Sequence, residues 1–237
     1  MDPDLRTAVR LSPLRDLPDS VLAELTMDAA RVQIPAGAVT HWAGDPAPHL
    51  DLVISGVVRV FVTAPDGRQM TIRYCRDGAL IGAMSLFAPA FAMPANTQAL
   101  TDAHLLKLRP HAAHRLTARD PRVARAFLGE LAERALRFVY EIPGSTFATV
   151  RQRVARHLLD LASGHVRDHG ADGGPAHELV VTVNQRQLAE AVGTAREVVV
   201  RVLRELREEG IVRTGRDRMV IVDPARLIHD HEWNSGS

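Results

Sequence analysis

The chain has 237 residues, 46% of them hydrophobic, enough to pack one large or two modest domains. Its formal net charge is only +1, which excludes a uniformly basic nucleic-acid coat and makes any such contact local. One cysteine, Cys75, excludes an internal disulfide and any cysteine-rich zinc or iron–sulfur site.

The opening stretch MDPDLRTAVRLSPLRDL has no apolar run suited to a secretory signal. No segment approaches the roughly 18 uninterrupted apolar residues of a membrane span. A cytoplasmic protein with no membrane partner is expected. Residues 1–30 predict one or two short helices, with Pro18, Asp19 and Ser20 as start signals before Val21, Leu22 and Leu25. From about residue 31 to 110 the texture changes. DLVISGVVRVFVT is rich in β-branched residues, APDG makes a turn, and RQMTIRYC follows. Short strands with closely spaced turn signals, closing at AHLLKLRP, predict an antiparallel barrel or jelly roll.

From Asp120 the period is helical. Ala124, Leu128, Leu131, Ala135, Phe138 and Ile142 are spaced 4, 3, 4, 3, 4, a heptad seam. Arg125, Glu133, Arg134 and Arg137 surround it. The expectation is a homodimer paired along Leu128, Leu131, Ala135, Phe138 and Ile142; a helix packed on its own barrel is the alternative. Pro143 and Gly144 stop or kink the helix. Thr149 then caps a helix with Val150, Val154, Leu158 and Leu161 in one stripe. GHVRDHGADGGPAHE reads as a polar loop, LVVTV as a short strand, and the tail HDHEWNSGS as loosely ordered.

Residues 184–212 carry the sharpest signal. Asn184 and Gln187 form a capping-box pattern ahead of Leu188, Ala189 and Val192. Gly193 permits a sharp turn, and Thr194 can cap a second helix whose inward face is Val198, Val202, Leu203 and Leu206. Arg196, Glu197, Val200, Arg201 and Arg204 crowd its other side. A stop at EEG and a hairpin in RTGRDRMVIVD, turning at Gly215–Asp217, complete a winged helix-turn-helix. In such a unit the second helix enters the major groove of double-stranded DNA. Arginine can pair with guanine O6 and N7, and glutamate can accept from the cytosine amino group. Gln185, the Thr194 hydroxyl and Arg218 are placed to hold phosphates.

LAEAVGTAREVVVRVLRELREEGIV, with the roll and long helix before it, resembles the CRP/FNR family of transcription regulators over nearly the whole chain. The resemblance implies an α+β architecture: an N-terminal antiparallel β-roll (1–120), a central dimerisation helix and hinge (121–148), and a C-terminal winged helix-turn-helix (149–237). It implies Arg196, Glu197 and Arg201 as base readers of a palindrome with TGTGA-like half-sites. Val200 stands where the FNR branch has a base-contacting serine. RNA polymerase is implied as a partner in activation, by way of loop 164–177.

The resemblance fails in the effector half. YCRDGALIGAMSLFAPAFAMPANTQA aligns with the family's phosphate-binding cassette, yet Ala83 replaces its glutamate, and Met93 and Pro94 replace its arginine and serine. Phe138 and Val139 replace hydroxyl side chains that would contact adenine. A buried phosphate without a cation or donors costs several kcal/mol, so cyclic AMP is not expected as the small-molecule effector. Ala83, Met84, Phe91, Met93, Pro94, Phe138 and Val139 either line an apolar pocket or simply fill the roll. The alternative of the same fold is a haem- or redox-sensing module. Haem needs an axial donor, with Cys75, His41, His49 and His104 as candidates. A reactive thiol needs a nearby cation, and Arg73 shares the Cys75 face of a strand. No cofactor and no metal are predicted. A cupin-type enzyme is disfavoured, since no His-x-His pair is followed by a glutamate, and no Ser/His/Asp set or phosphate-binding loop is visible.

Overall fold

The computed structural model describes residues 2–67, 69–88, 92–146, 148–162, 179–215 and 218–231. They divide into two units, residues 1–62 with 72–138, and residues 63–71 with 139–237.

The first unit opens with helices α1 (Pro3–Leu11) and α2 (Asp19–Thr26). Asp2 caps α1, its Oδ1 accepting the Leu5 amide at 3.1 Å and satisfying one orphan donor. The roll is built from β1 (Ala30–Ile34), β2 (Val39–His41), β3 (Leu50–Ser55), β4 (Val58–Thr63), β5 (Gln69–Cys75), β6 (Leu80–Ile81), β7 (Asn96–Ala99) and β8 (Ala103–Leu108). They make two four-stranded sheets, ordered β1-β8-β3-β6 and β2-β7-β4-β5, with antiparallel pairings such as β1–β8 and β4–β7. This is the expected roll.

Strand alternation sets the layers. On β3, Leu50, Leu52 and Ile54 pack with the helices, while Val53 packs between the sheets. On β8, Leu106 and Leu108 take the helix side, and Ala103 and Leu105 the inner side. Buried on both faces, β3 shows no polar–apolar alternation in its sequence. Between β3 and β4, Gly56 adopts φ +91°, and a Cβ there would lie 2.5 Å from the Asp102 carbonyl oxygen. Only glycine makes that turn.

Helix α3 (Pro110–Arg119) is a correction to the sequence reading, which starts helical structure at Asp120. Pro110 occupies the first turn, where its missing N–H costs nothing. Asp120 ends α3 and starts α4 (Pro121–Thr146), its Oδ1 accepting the Arg122 amide at 2.9 Å. The Arg122 guanidinium and that amide hold its carboxyl at about 2.

Two stripes, one residue out of phase, run along α4. Val123 and Phe127 are fully buried in the helix-side core, and Glu130 follows them inward. Leu131 is half-buried and packs on the same core. Leu128 (67% exposed), Ala135 and Phe138 (48%) face out. The Ile142 side chain lies outside the described residues. The helix therefore packs on its own roll along one stripe and leaves most of the heptad seam bare.

In the second unit Thr149 caps α5 (Val150–Ala162): its Oγ1 accepts the Gln152 amide at 3.2 Å, and Gln152 Oε1 accepts the Thr149 amide at 2.9 Å. Val154, Leu158 and Leu161 are buried, with His157 among them. Strands β9 (Leu179–Val181), β10 (Val212–Gly215) and β11 (Arg218–Ile221) form a sheet ordered β10-β11-β9. Helices α6 (Gln185–Val192) and α7 (Arg196–Glu208) precede the wing. A further helix, α8 (Pro224–His231), corrects the reading of a loose tail as far as residue 231. Asp223 Oδ1 accepts the Arg226 amide at 3.0 Å, and Leu227 is fully buried. Loop 164–177 and residues 232–237 lie outside the described residues. Among the described residues no helix is long and apolar enough to cross a membrane.

Burial, reinforced by Arg156 and Arg153, drives the His157 imidazole down to about 3, so the fold holds it neutral. The unfolded chain binds that proton near pH 6.5, so this contribution is complete above that value and is lost as pH falls from about 6.5 towards 3. Denaturant titrations should show stability dropping by about 1.4 kcal/mol per pH unit in that window, and His157→Gln should flatten the slope. An unchanged slope in the variant would contradict the assignment.

Candidate nucleic-acid interface

The second unit builds its reading head from local signals. Asn184 Oδ1 accepts the Gln187 amide at 2.8 Å, and Gln187 Oε1 accepts the Asn184 amide at 3.0 Å, closing the capping box of α6. Leu188, Ala189 and Val192 are buried. Gly193 then turns the chain with φ 67° and ψ 42°, a left-handed conformation that an L side chain adopts only at a cost. The Thr194 amide donates back to the Ala189 carbonyl at 3.0 Å.

Helix α7 differs from the sequence reading in two details. Its N-cap is Ala195, with no side-chain cap, so Thr194 does not cap it. Its inward stripe is Val199, Val202, Leu203 and Leu206, whereas Val198 is only half-buried. The spacing 199, 202, 203, 206 is the i, i+3, i+4, i+7 pattern of a packed helix face. Steps of four residues drift by about 40° around the axis at 3.6 residues per turn, so the stripe 198, 202, 206 is not a straight one, and Val199 completes the buried face instead of Val198.

That phase turns Arg196, Glu197, Val200, Arg201 and Arg204 outward, all exposed. Arg204 Nε pairs with Glu208 at 2.8 Å. Arg196, Glu197 and Arg201 make no ion pair with another described residue, so their donors and acceptors remain available. Gln185 at the start of α6 and Thr194 in the turn are half-buried, and Arg218 on the wing is exposed. Thr194 also lines a cleft with Arg186, Ala189, Glu190 and Gly193. In the wing Gly215 pairs with Arg218 across residues 216–217, as the hairpin reading anticipated. Arg151 braces the end of α7, with both guanidinium ends 2.7 Å from the Glu209 carboxylate.

The residues named as an effector pocket differ in exposure. Ala83 and Met93 are buried, while Met84, Pro94, Phe138 and Val139 are exposed. Phe91 lies outside the described residues. The first unit also holds polar clusters that the sequence reading missed. Arg73 Nη1 donates to Glu130 Oε1 at 3.1 Å and to the Leu80 carbonyl at 3.2 Å. Arg134 lies in the field of the same groups; burial and Arg73 lower its pKa, and its Nη1 is buried without a hydrogen-bond partner. The signal was present: Val123, Phe127, Glu130 and Arg134 share the inward phase of α4, but an apolar pattern search passes over the two charges.

Of the haem and redox candidates, His41 and His104 have hydrogen-bond partners. His41 Nε2 lies 2.7 Å from the buried Asp51 carboxylate and its ring stacks on His49 at 3.7 Å. His104 Nδ1 lies 3.1 Å from Ser55 Oγ. Cys75 is fully buried between the sheets, and burial pushes its thiol up despite Arg73 and Arg134. Burial therefore disfavours the thiolate, which is the reactive form.

Comparison with known proteins agrees with this geometry. A model of the Crp-like helix-turn-helix domain matches residues 152–229, and one of the cyclic nucleotide-binding domain matches residues 31–120. The chain is 34% identical over 193 residues to the "Cyclic AMP receptor protein" of Thermus thermophilus, covering 81% of this chain and 84% of that one. It is 28% identical over 208 residues to the "CRP-like cAMP-activated global transcriptional regulator" of Mycobacterium tuberculosis, covering 88% and 91%. A solved CRP/FNR-family transcriptional regulator from Thermus thermophilus superposes with a TM-score of 0.70 at 25% identity, covering 87% and 100%. The chain belongs to the CRP/FNR family of transcription regulators; it is a regulator with a DNA-binding helix-turn-helix, not an enzyme.

In the native protein, a thiol reagent such as dithionitrobenzoate should leave Cys75 unmodified, and release one equivalent only after denaturation. Fast stoichiometric labelling of the folded protein would contradict the buried thiol.

Proposed function

We propose that the chain acts as a homodimer that reads a palindrome with TGTGA-like half-sites and activates transcription through contact with RNA polymerase. The observation that carries the reading is the outward set on α7: Arg196, Glu197 and Arg201 are exposed, unpaired, and opposite a fully buried aliphatic stripe. Arginine and glutamate are the side chains that distinguish guanine and cytosine in the major groove. Gln185, Thr194 and Arg218 flank them as phosphate contacts. The bare stripe Leu128, Ala135 and Phe138 on α4 supports pairing with a second copy, which would place two α7 helices about 34 Å apart on DNA.

Cyclic AMP is not the effector in this reading. Ala83, Met93 and Pro94 offer neither carboxylate, cation nor hydroxyl where the resembling cassette holds the ribose and the cyclic phosphate. Either an apolar molecule shifts the equilibrium between conformations, or the protein binds DNA without an effector. The buried, unactivated thiol of Cys75 speaks against redox control.

Selection of bound duplexes from random DNA, with and without added cyclic AMP, tests site, symmetry and effector together. A palindrome recovered equally in both arms is expected, and affinity should fall steeply with salt. Arg196→Ala should relax preference at one base position by about 1–3 kcal/mol, while Gln185→Ala should weaken all sequences evenly. Equal losses for both variants on every sequence would overturn the assigned roles.

A further inference from the structure

Every exposed position of α7 from Arg196 to Glu208 carries a charge except one, Val200, which is 41% exposed. A β-branched residue is a poorer helix former than alanine, and this position, outside the buried stripe, gains less from packing than Val199 or Val202. At about 100° per residue, Val200 lies about 40° from Arg196 and about 60° from Glu197 around the helix axis, inside the sector that faces outward. Its χ1 is stiff in a helix, so its two methyl groups hold one direction.

We propose that Val200 is a specificity-determining residue that packs against the C5-methyl group of one thymine in each half-site. This rests on the reading of α7 as the DNA-facing helix, and goes beyond it by assigning a base identity to an apolar side chain. The thymine methyl is the apolar group that base pairs present in the major groove, whereas the other edges offer hydrogen-bond donors and acceptors. A valine among hydrogen-bonding neighbours cannot satisfy those edges, and would leave them desolvated and unpaired. Against a methyl it loses nothing and removes apolar surface from water on both sides.

The test uses the full-length protein and the duplex recovered by selection, with each thymine replaced in turn by deoxyuridine opposite its adenine. This removes one methyl and leaves every base-pairing group in place. In the unmodified protein, one thymine per half-site should lose about fourfold in affinity, and both half-sites together about sixteenfold. In Val200→Ala, which leaves the inward stripe and the exposed charges unaltered, that penalty should vanish; in Val200→Thr, which keeps one methyl, part should remain. If deoxyuridine is neutral at every position while Arg196→Ala still relaxes base preference, the proposal fails and the DNA-reading assignment stands. If the deoxyuridine penalty is the same in Val200→Ala, another side chain reads the methyl and the proposal also fails. If neither deoxyuridine nor Arg196→Ala has any sequence-dependent effect, the recognition reading itself is wrong.

Discussion

The reading head depends on the burial of one aliphatic stripe. Val199, Val202, Leu203 and Leu206 lie on a single side of α7 and are almost wholly removed from water. Fully burying such a side chain is worth about 1.5–3 kcal/mol, far more than any exposed ion pair on the opposite face. The helix has 3.6 residues per turn, so fixing that stripe fixes the direction of every other side chain. Arg196, Glu197 and Arg201 point outward because the aliphatics leave them nowhere else to go. The Gly193 turn and the brace from Arg151 to Glu209 hold the ends of the helix at which this orientation would otherwise fray.

Helix α4 is organised by two competing stripes. Val123 and Phe127 anchor it to the helix-side core, and the same phase carries Glu130 and Arg134 inward. Leu128, Ala135, Leu136 and Phe138 are left in water. A helix that already packs along one face and still exposes several large apolar side chains on another has a second surface to cover. An exposed apolar patch of this kind is a mark of an interaction site.

The roll contains more charge than its strands suggest. Asp51 is buried with His41 and His49 beside it, and Lys107 Nζ lies 3.7 Å from its carboxylate. Burial lowers the His49 pKa, favouring the neutral ring, and both of its ring nitrogens are buried without hydrogen-bond partners. Leaving buried polar atoms unpaired costs about 1–3 kcal/mol each. The Arg73–Glu130 pair, at 3.1 Å, adds a further ion pair to the first unit, with Glu130 buried.

Much of the architecture was legible in the chain itself. Short β-branched runs separated by APDG-type turns specify a roll, because the period of two and the turn chemistry are local. The capping box of Asn184 and Gln187, the Gly193 turn and the charged outer face of α7 are likewise local. Tertiary contacts decided the rest. Which of Val198 and Val199 is buried, whether α4 presents Phe127 or Leu128 to its roll, and that Pro110 begins a helix all turn on what each segment packs against. The burial of Glu130, Asp51 and His49 could not be read from their neighbours, since a charged residue in a sequence looks the same whether water or a guanidinium is its partner. Local periodicity fixes which residues share a face; only packing in three dimensions selects which face is removed from water.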